Sequence, residues 1–332
     1  MIGVAPPTAP AGAVGPDLVA SATGAATGKA PGLELTMETR ALDTVIYQKD
    51  GPVAWITLDF AEKANIQTSD LVFDVDACLD DAGADYDIKV LVMKANGPGF
   101  SAGHVVAGTP GTEMREIDAS TAALGSVWKG QWDIYGTPVL KLWDFPKISI
   151  AQVHGYCLGG GTAWGLLTDM TVASEDAYFQ FPVLQGMAMP NMETGIEPWI
   201  FMNWKRAMEY MLTGQEIGAA EAKEIGLINR VVPRERLDDE VNELAFHVAQ
   251  APLTTLMAAK ANIHRAWDHM GFRTHLQASN DLLTMATAAR DVQEYIKGVY
   301  SEGLRPRDAA RRNAERATEL AAESKARLEA AD

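Results

Sequence analysis

The chain has 332 residues, enough for one large domain or two ordinary ones. Apolar residues at 47% and charged residues at 22% are the balance of a soluble globular protein, while a net charge of −16 argues against a nucleic-acid binder, which needs a basic face. Two cysteines, Cys78 and Cys157, without metal or redox spacing exclude a disulfide framework, and no apolar run approaches the roughly eighteen residues of a membrane span.

Residues 1–40 are rich in Ala, Gly, Pro, Ser and Thr without periodicity, which predicts a flexible leader. The first fifteen residues lack a basic region and a continuous apolar core, so no signal peptide is expected and the default location is cytoplasmic. Thr44–Tyr47 and Val53–Leu58 read as a hairpin around Lys49-Asp50-Gly51. Ser69 can cap a helix with apolar positions Leu71, Val72, Val75 and Leu79. A buried-strand signature, Lys89–Lys94, then runs into the small-residue turn Ser101-Ala102-Gly103. The segment from Thr109 to Phe145 reads as helical, with Trp128, Trp132, Tyr135 and Trp143 packing along a helix face.

Ile148–Gly165 is the stretch around which the chain is organised. Ile148, Ile150 and Val153 alternate with small or polar residues as in a half-buried strand, and Gly159-Gly160-Gly161 hands over to a helix. Three glycines there imply close approach to the backbone. The N–H groups that open such a helix can face a phosphate, a carboxylate or a developing oxyanion. Neither dinucleotide nor P-loop spacing is present. With the Ser101-Ala102-Gly103 turn about fifty residues upstream, two N–H groups can meet at the carboxyl ends of neighbouring strands, where α/β sheets place ligands. Cys157 within this stretch reads as a small buried thiol and His154 as a structural hydrogen-bonding residue.

Met170–Ala173 and Ala177–Phe181 read as strands, Pro182–Pro198 as a loop and Trp199–Met211 as a helix. From Ala219 the chain reads as almost wholly helical, with breaks near Gly226, Pro252, Gly271 and Gly303. Leu304–Asp332 is Ala-, Arg- and Glu-rich, a solvated helix or frayed tail. The expected organisation is an α/β core over 41–250, a helical region over 251–303 and a charged helical tail over 304–332.

Several segments together resemble the crotonase superfamily, the enoyl-CoA hydratase/isomerase family. They are Phe100-Ser101-Ala102-Gly103, His154 through Gly161, Thr168-Asp169, Leu212-Thr213-Gly214 with Ala219, Ala222 and Gly226-Leu227-Ile228, Val231-Val232-Pro233, and Asp291-Val292-Gln293-Glu294. The resemblance spans about Thr44 to about Gly303 in the family's order. It implies a crotonase-like (ClpP/crotonase) spiral of ββα units in which 251–303 mediates trimerisation, giving a homo-oligomer, either a trimer or a dimer of trimers.

The resemblance also implies a chemistry. A thioester carbonyl would sit between the amide N–H groups of His104 and Gly160, which stabilise an enolate. The CoA portion of the substrate would meet the backbone around Lys63-Ala64 and Ala102-Gly103, with Lys260 or Lys297 near its phosphates. No separate cofactor and no metal is implied. The family's two hydratase glutamates fall at Ala163 and Val183, so standard hydration is not supported. Glu193 lies nearest the place of the alternative acidic residue of isomerases, dehalogenases and C–C hydrolases, with Glu197 four residues on. A carboxylate there, facing Met187, Met189 and Met192, would be raised in pKa by desolvation. The His104 ring is either a proton-transfer group or a bystander to its own backbone. Thr162 and Trp164 would shape the acyl pocket. Three readings stay open: isomerase, lyase or hydrolase chemistry on an acyl-CoA, a CoA-independent C–C hydrolase of a cyclic β-diketone, or a catalytically silent acyl-CoA-binding paralogue.

Overall fold

The computed structural model describes residues 37–105, 123–191 and 195–330. Ten strands are present among them: β1 (Glu38–Ala41), β2 (Val45–Asp50), β3 (Val53–Leu58), β4 (Val90–Ala95), β5 (Ile148–Val153), β6 (Tyr156–Leu158), β7 (Met170–Ser174), β8 (Tyr178–Gln180), β9 (Glu216–Gly218) and β10 (Arg230–Val232). Seven form one sheet in the order β1-β2-β3-β4-β5-β7-β10, antiparallel through β3 and parallel from there on. The other three form a small sheet, β6-β8-β9.

The continuous apolar run in β4 follows from burial on both faces. Leu91 and Met93 point into the main core with Ile56, Leu58, Ala151 and Ala173. Val90 and Val92 point to the opposite side, where Val241, Leu244 and Ala245 of the helix Leu237–Val248 cover them. Thr68 rather than Ser69 caps the helix Ser69–Ala84, its hydroxyl accepting from the Leu71 N–H at 3.2 Å.

Four elements differ from the sequence-based expectation. Residues 38–41 pair as an edge strand with β2 instead of continuing the leader. The expected helix from Trp199 is broken: Glu197–Phe201 stops at Met202, which adopts φ +46°, and Asn203 caps a new helix, Trp204–Thr213. Val183–Met187 forms a short helix inside the expected loop. The run after Ala219 is interrupted by β10, whose Val231 and Val232 extend the parallel sheet beside β7. The expected start of the aromatic helical segment lies outside the described residues, and the remainder is helical over Leu124–Gln131 and Thr137–Trp143, joined by a π-helical turn.

The C-terminal helices are Leu253–His269, Phe272–Thr287, Arg290–Ser301 and Pro306–Glu329. The first is tied to the sheet by Asp169, the residue before β7. Its Oδ2 accepts from the Ser149 N–H at 2.7 Å and from the Ser149 hydroxyl at 2.9 Å. Lys260 Nζ lies 2.9 Å from Oδ2, and His264 Nε2 lies 2.9 Å from Oδ1. Burial alone would raise the Asp169 carboxyl, but the His264 and Lys260 contacts outweigh it and hold it below the usual range. Burial pulls the Lys260 ammonium down despite Asp169, yet the 2.9 Å contact and a further 3.0 Å bond to the Lys147 carbonyl identify an ion pair. Lys260 is therefore committed inside the protein, and the expectation that it meets CoA phosphates is corrected.

Replacing Asp169 with Asn leaves the Lys260 ammonium buried without its counter-charge, so Asp169→Asn is expected to lower stability by roughly 3–5 kcal/mol in urea unfolding at neutral pH. Because the Asp169 pKa is depressed on folding, its contribution is present above the unfolded value, about pH 4, and disappears as pH falls through the folded one. The wild-type and the variant should accordingly converge in stability at the acid end of a pH series.

Candidate active site

Three segments meet at the carboxyl ends of β4 and β5. The first, residues 100–104, follows β4, and the second, residues 156–161, follows β5. They are zipped together by bonds from the Phe100 N–H to the Tyr156 carbonyl at 2.9 Å and from the Leu158 N–H to the Ser101 carbonyl at 2.9 Å. Gly103 has φ +83°, and a Cβ there would stand 2.6 Å from the Leu158 oxygen and 2.9 Å from the Gly160 nitrogen. The turn thus brings the main chains of Gly103 and Gly160 into direct contact, which no residue larger than glycine allows. Gly160 opens the helix Gly160–Leu166, and its N–H donates to no acceptor among the described residues.

The third segment, residues 63–67, comes from the connection after β3. The Ala102 N–H donates to the Ala64 carbonyl at 3.0 Å, and the Gln67 N–H donates to the Gly103 carbonyl at 2.8 Å. Lys63, Ala64, Ala102 and Gly103 are therefore neighbours in space. Asn65, fully buried, locks this corner. Its Oδ1 accepts from the Phe60 N–H at 2.9 Å, its Nδ2 donates to the Asn96 and Gly99 carbonyls, and its own carbonyl accepts from the Ser101 hydroxyl at 2.7 Å. Ala64 and Asn65 both adopt left-handed backbone, a conformation Asn tolerates better than most residues.

His104 is half-buried, and its ring meets Tyr135 edge to face with centroids 4.6 Å apart. Thr162 is fully buried, and its hydroxyl donates to the Gly159 carbonyl at 2.5 Å. Trp164 is buried in the main core. Ala163 and Val183 are buried among apolar neighbours, so neither position supplies a proton-transfer group. Glu193 and Met192 lie outside the described residues. Glu197 is buried as the first residue of the helix Glu197–Phe201. Met187 and Met189 are half-buried, and Lys297 is exposed.

His154 keeps the structural role expected of it. Its Nε2 lies 3.0 Å from the Gly97 carbonyl, which can only accept, and burial lowers the imidazole pKa, so the ring is neutral. The Cys157 thiol is fully buried and pushed up by that burial, which removes it as a nucleophile. A cleft of about 470 Å³ lies at the far end of the helix Gly160–Leu166, against the helix Leu253–His269. Trp143, Trp199 and Trp267 line it, but Lys260 and His264 there are already bonded to Asp169. The turn, with its Gly160 N–H unclaimed among the described residues, is the stronger candidate for chemistry. Among the described residues no cluster of side chains could hold a metal ion, and no helix is long and apolar enough to cross a membrane.

Two residues at the turn carry signals that sequence reasoning passed over. Asn65 is the residue type that accepts left-handed backbone, and Gln67 is a polar side chain set between Ile66 and a helix cap. The Gln67 side chain, 2% exposed, reaches across to Gly160, with Nε2 donating to its carbonyl at 3.2 Å.

Comparison with known proteins agrees with the fold. The family model described as enoyl-CoA hydratase/isomerase matches residues 48–307. The Mycobacterium tuberculosis protein EchA13, named as a candidate enoyl-CoA hydratase, is 31% identical over 256 residues, covering 73% of this chain and 80% of its own. The crystal structure of an enoyl-CoA hydratase/isomerase from Xanthobacter autotrophicus Py2 superposes with a TM-score of 0.70 at 28% identity, covering 83% of this chain and 99% of that one. An enoyl-CoA hydratase from Mycobacterium smegmatis gives 0.72 at 25% identity, covering 83% and 94%. The fold is thus crotonase-like, a mixed α/β core with a helical C-terminal region.

Gly103→Ala places a methyl group against the Leu158 oxygen and forces a left-handed alanine, so a loss of at least ~1–2 kcal/mol is expected in urea unfolding. Gly125→Ala, in a helix and with open space around it, should not lower stability.

Proposed function

The chain belongs to the enoyl-CoA hydratase/isomerase family, and we propose that it binds an acyl-CoA thioester and stabilises its enolate between the N–H groups of His104 and Gly160. The observation that carries this reading is the contact of Gly103 with Gly160, whose N–H meets no acceptor among the described residues and lies beside the turn that His104 follows. Two such donors aimed at the thioester oxygen favour charge there, so the α-carbon loses a proton more readily. Losing one donor of this kind typically costs about 3–4 kcal/mol of barrier. The backbone around Lys63, Ala64, Ala102 and Gly103 receives the CoA portion, and Thr162 and Trp164 border the acyl group. CoA enters as part of the substrate, with no further cofactor.

Alanine at 163 and valine at 183 cannot hold or deliver a water, so the reaction is isomerisation, C–C cleavage or hydrolysis instead of standard hydration. Glu193 serves as the proton-transfer carboxylate. The same two aliphatic residues favour two competing readings, a β-diketone hydrolase that needs no CoA and a silent acyl-CoA-binding subunit. The family's assembly into trimers or paired trimers is proposed here too, supported by the large apolar side chains Ile263, Leu282 and Met285, which the C-terminal helices leave exposed.

Exchange of α-protons for deuterium in a panel of acyl-CoAs, followed by mass spectrometry, is expected with the wild-type protein and should fall at least a hundredfold in Glu193→Gln. Equal exchange in both removes Glu193 from the mechanism. Calorimetric titration should give sub-millimolar CoA binding. Binding without exchange or turnover identifies a silent paralogue, and β-diketone cleavage without CoA binding identifies the hydrolase. Sedimentation analysis is expected to give a trimer or a hexamer, and a monomer at micromolar concentration overturns the assembly proposal.

A further inference from the structure

On the other face of the main sheet, across from the core that holds Trp164, lies a polar cleft that the proposed reaction does not use. Lys94 and Gln152 fall on that face by strand alternation, since Val90 and Val92 of β4 and Ile150 of β5 belong to the layer covered by the helix Leu237–Val248. The cleft holds about 240 Å³. It is lined by those two side chains, by His154, and by Arg234 and Asp238 around the start of that helix.

Two acceptors on its wall have no donor. Gln152 and His154 are each 5% exposed. The Gln152 amide is oriented by its partner: Nε2 donates to Asp238 Oδ1 at 2.8 Å, so Oε1 is the atom left over. Asp238 can only accept, because the Gln152 amide and the Lys94 ammonium hold its carboxyl below the usual range. Oε1 is buried and receives no hydrogen bond within the structure. The bond to Asp238 therefore accounts for one end of this amide only. His154 gives its Nε2–H to the Gly97 carbonyl, which leaves the neutral ring with an accepting Nδ1 to which no described residue donates.

The cations of the cleft are already matched. Lys94 Nζ lies 3.4 Å from Asp238 Oδ1, and Arg234 bonds Asp176 at 2.7 Å. A carboxylate ligand would suit these cations, but it has no hydrogen for Gln152 Oε1 or His154 Nδ1 and would face Asp238. An ammonium would supply the hydrogens but would sit against Lys94 and Arg234. A hydroxyl does both, donating one hydrogen and accepting on two lone pairs. The volume, divided by roughly 30 Å³ per water, equals about eight water molecules, room for a compact molecule carrying several hydroxyls.

We propose that this cleft binds a small polyol, of glycerol to pentose size, at a site separate from the glycine turn. One hydroxyl donates to Gln152 Oε1 and a neighbouring one to His154 Nδ1. Lys94 and Arg234 donate to the ligand oxygens through the N–H groups that Asp238 and Asp176 leave over.

Saturation-transfer difference NMR on the full chain with glycerol and D-ribose tests this. Both are expected to give saturable signals with dissociation constants in the millimolar range. Gln152→Leu and Arg234→Ala should each weaken binding at least about fivefold, the effect of losing one hydrogen bond. The Arg234 side chain is 45% exposed, so its variant decides the matter if Gln152→Leu fails to fold. Saturating CoA should leave the ribose signal in place. Absence of a saturable signal from either polyol overturns the proposal, as does wild-type binding in either folded variant. Preference for acetate or ethylammonium over the polyols, or displacement of ribose by CoA, overturns it too. None of these measurements involves turnover, so the proposed reaction stands or falls separately.

Discussion

Where Gly103 passes Gly160 there is room for two main chains and nothing else, and the arrangement of the whole turn follows from that crossing. Strands β4 and β5 run parallel and in register, so the connections leaving their carboxyl ends emerge side by side. Ser101 then bonds in both directions, its carbonyl to Leu158 and its hydroxyl to Asn65, which draws in the connection after β3. Three stretches distant in sequence become one rigid corner through main-chain bonds and one buried asparagine. A site built this way depends little on side-chain identity at its centre, which is consistent with one family hosting several reactions.

A second tie holds the helical part of the chain to the same sheet. Asp169 bonds Ser149 in β5 on one side and Lys260 and His264 on the other, so a carboxylate buried beneath the aromatic cleft joins strand to helix. Its charge is tolerated because every oxygen has a partner. The stacking of Trp143 on His264, with ring centroids 3.9 Å apart, closes the cluster from above. Thr168-Asp169, a short motif in the sequence, is thus part of how the core holds the helices.

The strands were legible because β2, β3, β4 and β5 carry their burial in their own pattern, alternating or continuously apolar. The glycine turns were legible because few other uses of clustered glycines fit a strand-to-helix junction. Strand β10 was hidden, since three residues between helical stretches carry too little periodicity and take their conformation from β7. The break at Met202–Asn203 depends on a left-handed residue that only the tertiary context selects. Lys260 looked like a cation for CoA phosphates because nothing local reveals a carboxylate 91 positions upstream. Gln67 went unnoticed for the same reason: its side chain bonds the Gly160 carbonyl, which the chain reaches only later.

The last helix, Pro306–Glu329, touches the core only at its beginning. Ala309 and Ala310 are buried there, Arg307 reaches Tyr178 and Glu216, and Asn313 bonds the Gln185 carbonyl. From residue 314 to residue 330 every position is exposed, a stretch of about 25 Å at helical rise. It behaves as a built-in stalk. A dye or an immobilising bead coupled within its final two turns would leave the contacts of Ala309, Ala310 and Asn313 untouched, so the protein can be tethered for measurement by that end.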